Sequence, residues 1–125
     1  MAVELNHIIV PARDKHASAA FLAGVLGVEV GTAWGPFVPL ALSNGVTLDF
    51  LDAERFHPQH CAFQLSEPEF DAAVARIRAA ELPYWADPFH RQPGAVADRF
   101  GGRAVYFDDP AGHNMEILTP APKPS

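Results

Sequence analysis

Two stretches of this 125-residue chain repeat one another, and that repeat constrains the fold more than any other feature of the sequence. Gly45-Val46-Thr47-Leu48-Asp49 aligns with Gly112-His113-Asn114-Met115-Glu116, a separation of 67 positions at both ends. Each segment closes a half that reads strand, helix, strand, strand, strand. In the first half, Leu5 to Val10 is a short apolar strand stopped by Pro11. Asp14 is placed to cap the helix that follows, with Ala17, Phe21 and Val25 on one face and Gly27 at its end. The segments VEVGTAW, PFVPLALS and VTLDFLD read as strands, the last two joined through Ser43-Asn44-Gly45.

The second half follows the same order. QHCAFQLS alternates as a strand, and Ser66 with Glu69 has capping-box spacing ahead of a helix carrying Phe70, Val74 and Ile77 on one face. LPYWA, GGRAVYF and HNMEILT are the remaining strand candidates, with Asp109-Pro110-Ala111-Gly112 as the final turn. FHRQPGAVADRF has no periodicity and reads as a mobile polar insert, and PAPKPS as a frayed tail. The fold class is therefore α+β, one domain over 1–125, with module 1 at about 5–52 and module 2 at about 58–119.

Composition narrows the function. Hydrophobic residues make up 49% and charged residues 19%, enough for a packed core. The formal charge of −6 disfavours nucleic acid, since phosphate binding calls for a basic surface. No apolar run approaches the roughly 20 residues that span a bilayer, and the first ten residues lack the basic-then-apolar pattern of an export signal. One cysteine, Cys61, rules out an internal disulfide and suits a reducing compartment. These point to a cytoplasmic protein with a small-molecule partner. Cys61 alternates away from His60 and reads as buried core; His113 belongs to an exposed turn, and His16 and His57 have no partner pattern. No phosphate loop and no Ser-His-Asp pattern appears.

Each half offers a histidine from its first strand, His7 or His60, and a carboxylate from its last, Asp49 or Glu116. Two imidazoles and one carboxylate suit a divalent first-row metal and leave positions open. A single strand histidine is more often a hydrogen-bonded structural residue. Three such residues at equivalent places in a repeat favour ligation, and His7, His60 and Glu116 form that set. Asp49 is a candidate fourth ligand, an orienting acceptor, or an ordinary strand aspartate.

NHI in the first strand, QHCAFQLS and GGRAVYFDDPAGHNMEILT together resemble the vicinal oxygen chelate superfamily. It includes glyoxalase I, type I extradiol dioxygenases, fosfomycin-resistance enzymes and bleomycin-binding proteins. The resemblance implies paired βαβββ modules, a curved mixed sheet around a metal held by His7, His60 and Glu116, with Asp49 near the fourth ligand of glyoxalase I. It also implies a homodimer, often with sites shared between chains. Val105-Tyr106-Phe107-Asp108-Asp109-Pro110-Ala111-Gly112 leading to Glu116 fits the extradiol dioxygenase pattern, with Tyr106 as the candidate catalytic hydroxyl. That pattern also has a histidine where this chain carries Ala97, Asp98 and Arg99; His90 is the nearest substitute. HCAF, FDAAVARIRAAELPYWADP and GGRAVYFDDPAGH resemble most a branch related to the oxygenase of chartreusin biosynthesis.

That resemblance implies Fe(II), with Mn(II), Ni(II) and Zn(II) as alternatives, and a phenolic or catecholic substrate. His90, Arg91 and Arg103 are candidate substrate-binding residues, and Arg99 could likewise meet an anionic group. Tyr84, Trp85, Phe89 and Trp34 could form an aromatic wall or simply pack in the core. A glyoxalase-type isomerase or lyase is the second reading, favoured by Asp49 but lacking an evident basic glutathione pocket. Fosfomycin-type thiol transfer gains from HCAF and loses from Ile9, which stands where those enzymes can carry a threonine. A non-catalytic drug-binding module would not need the intact triad.

Overall fold

The structure is a computed structural model that describes residues 2–99 and 101–120, Arg99 by its backbone alone. The chain divides into two compact units, residues 1–57 and 58–125.

The first unit holds β1 (His7–Ala12), α1 (Lys15–Leu26), β2 (Phe37–Ala41) and β3 (Thr47–Asp52). Its sheet has the order β1-β3-β2, with β1 parallel and β2 antiparallel to β3. Paired residues share a face, so the register separates two sets. Val10, Val38, Leu40, Leu48 and Phe50 are buried on one face, beside Ala19, Leu22 and Ala23 of α1. His7, Ile9, Pro39, Thr47 and Asp49 lie on the other. Asp14 caps α1 by accepting from the His16 and Ala17 amides, and Gly27 ends it in the left-handed conformation that a side chain would oppose. The buried stripe of α1 is Ser18, Ala19, Leu22, Ala23 and Val25; Ala17 is exposed and Phe21 half-buried, so the face expected from sequence is rotated.

The second unit holds β4 (His60–Gln64), α2 (Glu67–Ala79), β5 (Ala97–Arg99), β6 (Gly102–Asp108) and β7 (Asn114–Leu118). The order β4-β7-β6-β5 again places the unit's first strand parallel to its last, with the preceding strand antiparallel on the other side. Gly45 and Gly112 have φ of 85° and 92°, so the repeated segments share their turn conformation as well as their sequence. Ser66 accepts from the Glu69 amide at 3.4 Å and donates through Oγ to the Glu69 carboxylate at 2.7 Å, a variant of the capping box. Phe70, Ala73, Val74 and Ile77 form the buried stripe of α2.

Three strand expectations change. VEVGTAW makes no strand ladder among the described residues: Val28 donates back to Ala23 of α1, Gly31 donates to Pro39, and Trp34 forms an isolated bridge with Phe37. LPYWA is likewise reduced to bridges from Trp85 to Tyr106 and Pro93. The supposed loop FHRQPGAVADRF contains β5, paired with β6, although its Phe100 lies outside the described residues. Residues 121–125 of the expected frayed tail are also outside them. No helix among the described residues is long and apolar enough to cross a membrane.

Candidate metal centre

His60 and Glu116 sit on the same face of the second sheet because β4 and β7 run in parallel register, His60 opposite Asn114 and Ala62 opposite Glu116. Ala62 is small, so nothing bulky stands beside the carboxylate on β4. His60 donates through Nε2 to Glu116 Oε1 at 3.0 Å. Two donors each about 2.1 Å from one ion, at right angles to it, would stand about 3 Å apart, so these atoms have the separation of neighbouring ligands. Glu116 is buried, whereas the His60 side chain keeps 45% of its surface exposed. The pair thus has a sheltered anion and an accessible imidazole, a donor set that fits a divalent metal.

Tyr106 is opposite Glu116 on β6, and it is buried. Its ring stacks on His60 with centroids 5.9 Å apart at 25°. Trp85 extends this row, exchanging two backbone hydrogen bonds with Tyr106 at 2.8 and 2.9 Å. The neighbouring row runs His60, Asn114, Asp108 across the same face.

In the first unit, Asn6 Oδ1 stands 2.8 Å from His7 Nδ1. With the proton on Nδ1 that contact is a hydrogen bond, and it leaves the Nε2 lone pair for a metal. Asp49 shares this face with His7, two residues along β3 from the position opposite it. Asp49 is buried, and its side chain has no hydrogen bond or ion pair among the described residues. Among the described residues of one chain, no group of three or more His, Cys, Asp or Glu could hold a metal ion.

The candidate substrate residues divide. His90 lies flat on Trp85, ring centroids 3.6 Å apart at 3°, with Nε2 3.5 Å from Asp108 Oδ1. Its neighbour Arg91 reaches over the Phe89 ring at 5.5 Å, and Phe89 is 75% exposed. Arg103 is not brought to the His60–Glu116 face. It alternates away from Tyr106, pairs with Glu67 and Asp71 of α2, and covers the Phe70 ring at 4.5 Å. Hydrogen bonding to Asp71 leads the effects that hold its guanidinium above the usual arginine range. Tyr84 is tied to α2 in the same way, accepting from Arg78 Nε at 2.9 Å. Trp34 packs on Phe37 in the first unit and is largely exposed.

Other features depart from the sequence expectation or lie beyond it. His113, expected at an exposed turn, is fully buried: it accepts from the Gln59 amide at 2.8 Å, and its own amide binds Asp109 Oδ1. Asp87 organises the polar insert by accepting from the amides of Phe89, Arg91 and Gln92. The Asp87-Pro88 pair is itself a turn signal and could have located this loop. Cys61, expected in the buried core, is only half-buried; burial and then nearby Asp109 push its thiol up, away from the thiolate a nucleophile needs.

The two repeated α+β units, each with its first strand parallel to its last and the second carrying a His–Glu pair on one sheet face, define a paired-module α+β class. Residues 4–117 match the family model described as Glyoxalase/Bleomycin resistance protein/Dioxygenase superfamily, and the chain belongs to that superfamily. The structure superposes on Oxidase ChaP-H2 with a TM-score of 0.93 and 56% identity, covering 97% of each chain. Oxidase ChaP-H1 gives 0.92 and 49% identity, covering 95% of this chain and 97% of that one. The glutathione transferase FosA of Serratia marcescens is 25% identical over 94% of this chain and 81% of its own length. These findings bear out the glyoxalase-like fold and the resemblance to the chartreusin branch.

Proposed function

We propose that this protein is a metal-dependent, dioxygenase-like enzyme acting on a phenolic or catecholic small molecule. The observation that carries the reading is the His60–Glu116 convergence beside Tyr106, in a chain 56% identical to a protein named an oxidase. His60, Glu116 and His7 are the ligands in this reading, with Fe(II) as the preferred ion over Mn(II), Ni(II) or Zn(II). His7 completes the set, in a homodimer whose sites are shared between chains. When bound, iron(II) supplies open coordination positions and the one-electron chemistry that dioxygen requires. Glu116, sheltered from water, holds negative charge at the centre; His60 contributes a neutral donor whose ring is fixed by Tyr106. The Tyr106 hydroxyl orients a substrate oxygen, and Trp85 beside it offers an aromatic surface to a flat ring.

The FosA match favours thiol transfer as a second reading, at a lower identity than the oxidase likeness. Oxygen uptake separates the dioxygenase from both the transferase and a glyoxalase-type isomerase. Protein loaded anaerobically with Fe(II) consumes oxygen when given a panel of catechols and polyketide phenols. Silence across that panel, with turnover of a glutathione hemithioacetal by Ni(II) or Zn(II) protein, would establish the isomerase instead; glutathione addition to fosfomycin would establish the transferase.

A further inference from the structure

Residues 86–94 form a built loop beside the candidate centre. Asp87 gathers three amides, Ala86 donates to Gln92 at 3.0 Å, Gly94 donates to Tyr84 at 2.8 Å, and Asn114 Nδ2 donates to the Pro88 carbonyl at 3.1 Å. Inside this arrangement two buried polar atoms make no hydrogen bond among the described residues: Asn114 Oδ1, and His90 Nε2, which faces Asp108 Oδ1 at 3.5 Å. His90 is held there at a cost, in the left-handed conformation at φ 58° and flat against Trp85. Buried polar atoms that stay unpaired are costly to a fold, so a loop this well fastened that leaves two of them open has a use for them.

Their positions are set by the sheet. Asn114 is opposite His60 on one side and opposite Asp108 on the other, and Asp108 faces His90 at 3.5 Å. His60 and Asp108 are therefore two strand spacings apart, about 10 Å. A hydroxyl is the small neutral group that can accept from an imidazole N–H and donate to an amide oxygen at once.

We propose that His90 and Asn114 form a hydroxyl-recognition subsite, which selects phenols bearing a second hydroxyl between one and two strand spacings from the oxygen nearest His60. This rests on the phenol reading above and adds a specificity determinant to it. Both atoms are closed to solvent, so the ligand reaches them as the loop lifts, and the Trp85–His90 stack reports the event.

The test uses zinc-loaded protein in a Trp34→Phe background, so that Trp85 is the emitter. The probes are luteolin, a catechol with hydroxyls on its far ring, and the analogue lacking those far-ring hydroxyls. Luteolin binds about tenfold more tightly than the analogue and alone shifts Trp85 emission. His90→Gly suits the left-handed backbone, removes the nitrogen and abolishes the preference. His90→Asn suits the same backbone, keeps an N–H donor and restores part of it. If both flavones bind equally to the parent protein, or the preference persists in His90→Gly, the subsite is wrong and phenol binding stands. If neither binds, the phenol reading fails and takes the subsite with it.

Discussion

His60 Nε2 and Glu116 Oε1 meet at 3.0 Å although 56 residues separate them, because β7 runs parallel to β4 and sets the two side chains diagonally on one face. Parallel pairing needs a long crossover, and α2 with the strands after it provides one. The first unit repeats this arrangement with β1 and β3, where it puts His7 and Asp49 on one face. Each unit thus makes one His–carboxylate face, and only the second brings its pair into contact.

The His7 contact with Asn6 has a measurable consequence. If Asn6 holds the imidazole in its ligand tautomer, Asn6→Ala weakens Co(II) binding by about 10–100-fold, and His7→Ala weakens it further. Calorimetric titration reads both. An unchanged affinity in His7→Ala would remove His7 from the ligand set.

Asp49 decides between an open and a closed coordination shell. The open three-ligand centre proposed above predicts that Asp49→Asn lowers metal affinity by less than about tenfold and leaves oxygen uptake measurable. A loss beyond about a hundredfold would make Asp49 a ligand and favour the isomerase chemistry.

The 86–94 loop is pH-sensitive in a direction fixed by Asp87. Desolvation pushes that carboxyl up, but amides of Gln92, Arg91 and Phe89, with the Arg91 charge, outweigh it and hold it below the usual range. A depressed carboxyl stabilises the ordered loop above its unfolded pKa of about 3.9, and that contribution is lost as the pH falls through the lower folded value. Trp85 emission, followed in the Trp34→Phe background, therefore shows an acid transition below about pH 4. Asp87→Ala removes this acid transition; its persistence in that variant would show that another group controls the loop.

Arg103 separates fold from function. Its links to Glu67, Asp71 and Phe70 are partly exposed, so Arg103→Ala costs about 1 kcal/mol in chemical unfolding. The KM for a phenolic substrate stays within about twofold, since the side chain lies off the site face. A large KM increase would return Arg103 to the substrate.

The topology was legible because it is written twice: the shared Gly45 and Gly112 turns and the capping residues Asp14 and Ser66 are local signals with local causes. VEVGTAW misled because strand propensity does not supply a neighbouring strand, and Val28 and Val30 remain partly exposed. His113 misled because a polar residue in a turn motif is normally solvated, whereas here a distant amide, that of Gln59, needs an acceptor. The closeness of His60 and Glu116 follows from the repeat, which sets a histidine on a unit's first strand and a carboxylate on its last, in parallel register. The His90–Trp85 stack was not legible, since it depends on how Asp87 folds an aperiodic segment.

Iron content tests the central claim most directly. Anaerobically reconstituted and desalted parent protein is expected to retain one Fe(II) per chain, while His60→Ala and Glu116→Gln each fall well below it with their folded circular dichroism unchanged. Full iron retention in both folded variants would contradict a metal centre built on His60 and Glu116.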